Sequence, residues 1–362
     1  MQKTVTLEEY SKKSARLKSL VKKYGLIALF VGPFALCFIF FFLYPLINGI
    51  AISLTNYKLA QPGYEWNEFK WYQMIFNETN SRGRPNLYYE AFWRSFVHTI
   101  IFAVIMVPIA ILVPLGLAIL IKSKPPGYKV FRCLVYMPSI VPLTAAGAIF
   151  AMVFLPKQTH GLLAEILPNV GPKEWGLEFF ASYTIGDWEW KWAWAWIPIF
   201  IMCFWGGWGG NFLILSAGLE NIPKSLYEAA DIDGCSKWKK IRNVTLPGIK
   251  GQLVLTLFTT IIGYMGLYGQ NYVLYGGGPG NSSLSGVPGG GHTSTIIYFI
   301  QDVVANNADF KANLYGLGAA ASIVFAIAVG IITGIQMFLT RNKKTGLKYA
   351  TEFAEWKRLE QL

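Results

Sequence analysis

Apolar residues in this chain gather into six long runs free of Asp, Glu, Lys and Arg: 25–54, 96–121, 133–155, 193–217, 251–275 and 316–340. A bilayer core takes about 20 apolar residues of α-helix. Each run is therefore long enough to cross once, and the first two can tilt or project beyond it. The runs are continuously apolar rather than alternating, which predicts helices and not barrel strands. The first run is no cleavable signal peptide: it is too long, lacks a small-residue cleavage site and is followed by five more. The pattern predicts an all-α polytopic membrane protein of six transmembrane helices. Around the span-bearing region 25–340 lie a polar segment, 1–24, and a tail, 341–362, helical from Thr351 onward. The first segment intersperses Leu7, Leu17, Leu20 and Val21 among basic residues, as an amphipathic helix lying on a membrane surface does. No internal repeat is visible, and the glycine-rich stretch 276–291 reads as loop.

Composition agrees with this reading. Hydrophobic residues are 53% of the chain and charged residues 14%, against about 25% charged in average soluble domains. So few charges cannot cover a soluble surface of this size. The formal net charge of +12 changes meaning once it is located. Segments 1–24, 122–132, 218–250 and 341–362 hold 23 of the 32 Lys and Arg and 9 of the 20 Asp and Glu. The intervening connections hold the remainder. The basic set alternates along the chain with the neutral one, and the positive-inside rule places both termini and the 122–132 and 218–250 connections in the cytoplasm. Basicity is thus an orientation signal; no basic stretch forms a nucleic-acid reading module. Trp188, Trp190, Trp192, Trp194 and Trp196 alternate into the fourth run. They read as an interfacial aromatic belt, with a sugar-stacking platform as the sharper alternative.

Several chemistries lack their residues. There is no GxxxxGK[ST] phosphate loop, no HExxH and no GxSxG. Cys37, Cys133, Cys203 and Cys235 are scattered, without metal or disulfide spacing. His98, His160 and His292 have no companion ligands in sequence and read as satisfied or solvated residues. Self-powered secondary transporters usually carry ionisable or specialised polar groups at mid-membrane, and the six runs contain no Asp, Glu, Lys or Arg. The energy for any transport is expected from another chain. The competing classes are a secondary transporter, a permease for a non-sugar solute, a membrane-embedded enzyme and a non-transporting membrane anchor or receptor.

The connection 218–250 is the informative one. Asn221 and Pro223 make a helix start, Ser225 to Ile232 reads as one short helix, and Gly234 supplies a left-handed turn. Lys237 to Val244 reads as a second helix ending before Pro247. Leu226, Ala229 and Ala230 are spaced to form one face. The whole is a compact knob suited to a partner's cleft.

Within it, the run EAADIDGCSKWKKIRNVTLP carries Glu228, Ala229, Ala230, Gly234, Val244, Leu246 and Pro247. This spacing resembles the E-A-A, three residues, G, nine residues, I-x-L-P signature of permease subunits of ABC importers, with Val244 in place of Ile. YPLINGIAISLTNY (44–57), FRCLVYMPSIVP (131–142) and GGGPGNSSLS (276–285) resemble the carbohydrate branch of that family, which takes up oligosaccharides. The likeness spans about residues 25–340, with core 95–340. The large external domain of some maltose permeases has no counterpart.

The resemblance implies a type I importer transmembrane domain in the plasma membrane. It implies a second permease subunit, a cytoplasmic ATPase dimer carrying ATP and Mg, an extracellular solute-binding protein and a sugar substrate. No cofactor is expected in this chain itself. It also implies that Glu228, Ala229, Ala230, Gly234, Leu246 and Pro247 form the coupling loop seated on the ATPase. In similar permeases the sugar path uses the helices flanking that loop. Here they supply the windows WGGWGGN (205–211) and TIIGYMGLYGQN (260–271). The candidates are Trp205, Trp208, Asn211, Thr260, Tyr264, Tyr268, Gln270 and Asn271. Gly206, Gly207, Gly209 and Gly210 would admit a ligand or a neighbouring backbone.

Overall fold

The computed structural model describes residues 24–57, 65–79, 83–154, 162–166, 192–275, 293–305 and 314–340. The N-terminal amphipathic segment, the glycine-rich stretch, Trp188, Trp190, His160, His292 and the tail after Thr340 lie outside the described residues.

Four helices are long and apolar enough to cross a membrane: α1 (Tyr24–Ser53), α3 (Leu87–Lys122), α7 (Trp192–Glu220, the span running from Trp196) and α13 (Tyr315–Thr340). Between α1 and α3 lies the short α2 (Lys70–Phe76). The other two apolar runs depart from the expected single rods. In 133–155, α4 (Tyr128–Ile140, its last turn 3₁₀) meets α5 (Leu143–Phe154) at 93°. Val141 is extended there (ψ 126°). The residue before a proline avoids the helical region, so Pro142 sets the break, and its carbonyl accepts the first α5 bond, from the Ala146 N–H at 3.0 Å. The run 251–275 is divided between α10 (Lys250–Met265) and α11 (Gly269–Tyr275), with Gly266 closing the first. Counting the α4–α5 pair and the bent pair Lys237–Gly248 with Lys250–Met265 each as one span gives six.

After α5 comes the single turn α6 (Leu162–Ile166). The connection after α7 folds as α8 (Lys224–Ile232) and α9 (Lys237–Gly248), and α9 meets α10 at 71°. Helix α9 does not stop before Pro247. It widens into a π turn at Ile241–Thr245, where the Leu246 N–H bonds the Ile241 carbonyl. A proline ring clashes with the carbonyl four residues back in a regular helix, and the wider turn removes that clash. Helix α1 uses the same device: its π turn, Ile39–Leu43, lies just before Pro45. Helix α12 (Ile296–Ala305) is short and apolar.

The centre of the fold is α3. Despite Pro108 and Pro114 it is continuous for 36 residues, about 54 Å. Asn86 caps it, its side chain accepting from the Tyr88 and Tyr89 N–H groups at 3.2 and 3.4 Å. Helices α7, α10 and α12 pack along it, α13 packs on α12, and the second half of α1 lies on α13. The buried clusters are aromatic and aliphatic. One joins Phe102, Met106, Trp196, Ile199 and Met202; another joins Leu115, Phe212, Leu215, Leu219, Ile222 and Ile249. Lipid tails are as apolar as these side chains, so close packing and hydrogen bonds, rather than escape from water, hold such helices together.

Hydrogen bonds are placed accordingly. Asn211 Nδ2 donates to the Ala110 carbonyl at 2.8 Å and to Thr260 Oγ1 at 2.9 Å, tying α7 to α3 and α10. A second seam joins α3 to residues 293–296. Ser95 Oγ donates to Ser294 Oγ at 3.0 Å, the Ile296 N–H donates to Thr99 Oγ1 at 3.0 Å, and His98 Nδ1 lies 3.1 Å from the Ser294 carbonyl. His98 is thus a satisfied buried residue, edge-on to Trp196. Trp196 itself is 3% exposed and belongs to the core rather than to an interfacial belt.

Candidate functional site

Two places concentrate the candidate chemistry. The first is a cleft of about 200 Å³ where the α4–α5 elbow faces α7, α10 and α11. Ser139, Val141 and Leu143 line it from the elbow, Cys203, Trp205, Gly206 and Gly207 from α7, Tyr264 from α10 and Gln270 from α11. Glycine lets these walls approach. A Cβ on Gly207 would lie 2.6 Å from the Tyr264 hydroxyl, and one on Gly209 would strike Ser139. Gly206 and Gly210 meet nothing within 4 Å. Of the four glycines, two therefore serve packing, and Gly206 borders open space in the cleft.

The eight expected pathway residues separate into three groups. Trp205, Tyr264 and Gln270 share the cleft. The Trp205 ring lies 5.7 Å from Phe150, and Tyr264 is edge-on to Phe102 at 5.6 Å. Asn211 and Thr260 are buried and spend their polar groups on each other and on α3. Asn271 is fully buried; its amide bonds the Thr293 carbonyl at 2.5 Å and its carbonyl accepts from Thr293 Oγ1 at 3.1 Å. These three hold helices together and do not line the cleft. Trp208 leans on Phe204 at 4.6 Å, and Tyr268 stacks on Tyr272 and Tyr298 at 5.4 and 6.2 Å. Neither reaches the cleft. Sequence reasoning missed Ser139 and Cys203. The two prolines flanking SIV in MPSIVP were the available sign that this stretch breaks; Ser139, exposed and donating to the Tyr136 carbonyl at 2.7 Å, borders the cleft there.

The second place is the α8–α9 knob. Helix α8 ends as expected of a glycine-closed helix: Gly234 has φ +67°, and the Cys235 N–H bonds the Ala230 carbonyl at 2.9 Å. Ser236 caps α9 through the Lys239 N–H at 3.4 Å. The expected face of Leu226, Ala229 and Ala230 is not one face. Ala230 is buried, with half-buried Tyr227 beside it, whereas Leu226, Glu228 and Ala229 are exposed. The outward surface also carries Ile232, 87% exposed, and Trp238, 71% exposed. Leu246 is half-buried against Ile222 and Ile249, and Pro247 is exposed beyond the π turn. An ion pair between Lys240 and Asp231 joins the two helices. Arg132 Nη1 to Glu220 Oε1, at 2.9 Å, fastens α4 to the end of α7. No group of His, Cys, Asp and Glu among the described residues is arranged to hold a metal ion.

A helical bundle of several membrane spans, with a polar-edged internal cleft and a protruding two-helix knob between its spans, has the form of a transport subunit. Residues 82–344 match the family of the binding-protein-dependent transport system inner membrane component, and the chain belongs to that family. It is a multi-pass membrane subunit of an ABC importer, a conduit rather than an enzyme.

Among its relatives is the arabinooligosaccharides transport system permease protein AraP of Bacillus subtilis, 30% identical, the alignment covering 87% of this chain and 88% of AraP. Another is the lactose transport system permease protein LacF of Rhizobium radiobacter, 27% identical over 87% of this chain and 94% of LacF. The fold is similar to that of a chain in a bacterial ABC transporter that imports the acidic polysaccharide alginate. The TM-score is 0.66 at 19% identity, covering 91% of this chain and 99% of that one. A second structure of an alginate transporter, in complex with a pentasaccharide-bound periplasmic protein, gives 0.67 at 18% identity, covering 90% and 97%.

Proposed function

We propose that this chain is one of two permease subunits of an ATP-driven importer that receives an oligosaccharide from an extracellular binding protein. The reading rests on one observation above all: a cleft bordered by Trp205, Tyr264, Gln270 and Ser139, inside a bundle whose relatives are named for oligosaccharides and lactose. Aromatic faces suit the apolar faces of sugar rings, and a few placed amide and hydroxyl groups suit their hydroxyls. Trp205, Tyr264 and Gln270 form this subunit's part of the path. Gln270 lies in the cleft wall, where its side-chain amide suits a sugar hydroxyl.

The α8–α9 knob docks on a cytoplasmic ATPase dimer, which carries the ATP and Mg. Glu228 faces basic groups there, and Gly234 shapes the turn. Both termini lie in the cytoplasm, as the basic segments require. Closure of the ATPase pair moves the knobs of the two permeases, and the cleft changes the side to which it opens. The test is reconstitution of the complete complex in liposomes with its binding protein and a panel of oligosaccharides, lactose and monosaccharides. Oligosaccharide-stimulated ATP hydrolysis with uptake is expected. Stimulation by no sugar, with uptake of another solute class, would refute the sugar reading.

A further inference from the structure

Beneath the outward surface of α8, a row of polar contacts ties it to the bundle. Lys122, on the last turn of α3, donates from Nζ to the Tyr227 hydroxyl at 2.8 Å, and the same ammonium lies 4.1 Å from the Tyr227 ring centroid. The Tyr227 hydroxyl is 3.0 Å from Thr245 Oγ1, in the π turn of α9. Thr245 Oγ1 in turn donates to the Lys240 carbonyl at 3.4 Å. Lysine has only protons to give, so the Tyr227 oxygen accepts from Lys122, and between Tyr227 and Thr245 either hydroxyl can be the donor. Lys240 closes the loop by pairing with Asp231 on α8. Thr245 is buried, and Lys122 and Tyr227 are half-buried, so water competes for these bonds less than at an open surface.

We propose that Lys122 and Tyr227 form the transmission latch of this subunit, positioning residues that convert displacement of α8 into displacement of α3. The proposal rests on the reading of α8 as the ATPase-docking helix. What it adds is the route. Without the latch, α8 joins the bundle through the 221–223 connection, the buried Ala230 and the Asp231–Lys240 ion pair to α9. With it, α8 is fixed to the helix against which α7, α10 and α12 pack. The Ala110 carbonyl of α3 receives Asn211 from α7, and Ser95 and Thr99 hold the 293–296 seam. Displacement at Tyr227 is thus delivered to the helix that runs beside the cleft wall, through Phe102 against Tyr264.

The experiment uses the complete complex in proteoliposomes, measuring ATP hydrolysis and solute uptake together. Tyr227→Phe keeps the ring and removes the hydroxyl; Lys122→Met removes the donor; Lys122→Arg restores a donor that also stacks on the ring. Each of the first two is expected to lower uptake per ATP roughly tenfold, within the usual 5–150-fold span of coupling between sites, with hydrolysis retained. The double variant should lose no more than either single, and Lys122→Arg should recover most of the ratio. A Tyr227→Phe complex with wild-type uptake per ATP overturns the latch. So does a parallel loss of hydrolysis and uptake with dissociation of the ATPase, which marks a structural role. Glu228→Lys separates the two levels: if it leaves uptake normal, the docking assignment fails; if it abolishes uptake while Tyr227→Phe does nothing, only the latch fails.

Discussion

Asn211 and Thr260 carry a prediction that separates scaffold from pathway. Both were expected among the sugar contacts, and both are buried, bonded to each other at 2.9 Å while Asn211 also reaches the Ala110 carbonyl at 2.8 Å. Asn211→Ala removes two hydrogen bonds and leaves a small void among α3, α7 and α10. Hydrogen bonds between membrane helices contribute about 0.6 kcal/mol on average and at most about 1.7. Two such bonds give a loss of about 1–3 kcal/mol. Thr260→Val keeps the volume and removes one bond, for about 0.5–1.5 kcal/mol. Because the pair shares that bond, the double variant should fall short of the sum by about 0.6 kcal/mol. The assay is denaturant unfolding of the purified subunit in mild detergent, with uptake measured in parallel on the reconstituted complex. The sugar concentration for half-maximal uptake should stay fixed in both single variants. Strict additivity, or a several-fold change in that concentration without loss of stability, would refute the scaffold assignment.

Other substitutions probe the remaining elements. Tyr264→Ala and Gln270→Ala should raise the sugar concentration for half-maximal uptake several-fold, each removing a wall group of the cleft, as measured by initial-rate uptake; unchanged kinetics in both would remove the cleft from the path. Gly209→Val places methyl groups where Ser139 sits and should cost about 1–3 kcal/mol through overpacking, seen as a lower unfolding midpoint, whereas Gly210→Ala, which meets nothing, should be nearly neutral. Gly234→Val forces a β-branched residue to φ +67°, costing about 1–2 kcal/mol, and should reduce ATPase retention in a pull-down of the complex.

The long apolar runs predicted α1, α3, α7 and α13 because a straight span needs only a continuous apolar stretch and a capped end, both written locally. The elbows were harder to read. Pro142 sits in a run that otherwise looks like any span, and Pro108, Pro114 and Pro198 lie in helices that continue unbroken. What distinguishes Pro142 is that neighbours accept the turned chain: Gly209 receives Ser139, and Gly269 receives Leu143. Those acceptors are distant in sequence. Helix α8 was legible to within a residue because its glycine turn is local, whereas α9 runs four residues past the expected end through its π turn, and the inward face of the knob was not legible. Tyr227 stands immediately before Glu228, and only the positions of Lys122 and Thr245 reveal that it faces in. The two windows read from the sequence reach the cleft only through Trp205, Gly206, Gly207, Tyr264 and Gln270. Which polar side chains in them face open space depends on partners such as Ala110 and Thr293, which no local pattern names.

The right angle between α4 and α5 bears on how the chain is made. Insertion machinery reads hydropathy along a segment as it emerges, and 133–155 presents one uninterrupted apolar stretch. The 12 residues of α5 alone reach about 18 Å, too short for a hydrocarbon core of about 30 Å. The segment is therefore recruited into the bilayer as a whole, and the elbow that Pro142 sets is seated by α7 and α11, where Gly209 and Gly269 receive Ser139 and Leu143. Synthesis order then matters: α11 is made more than a hundred residues after the elbow it seats. A chain arrested before that point would hold the third span without the glycine that seats Leu143.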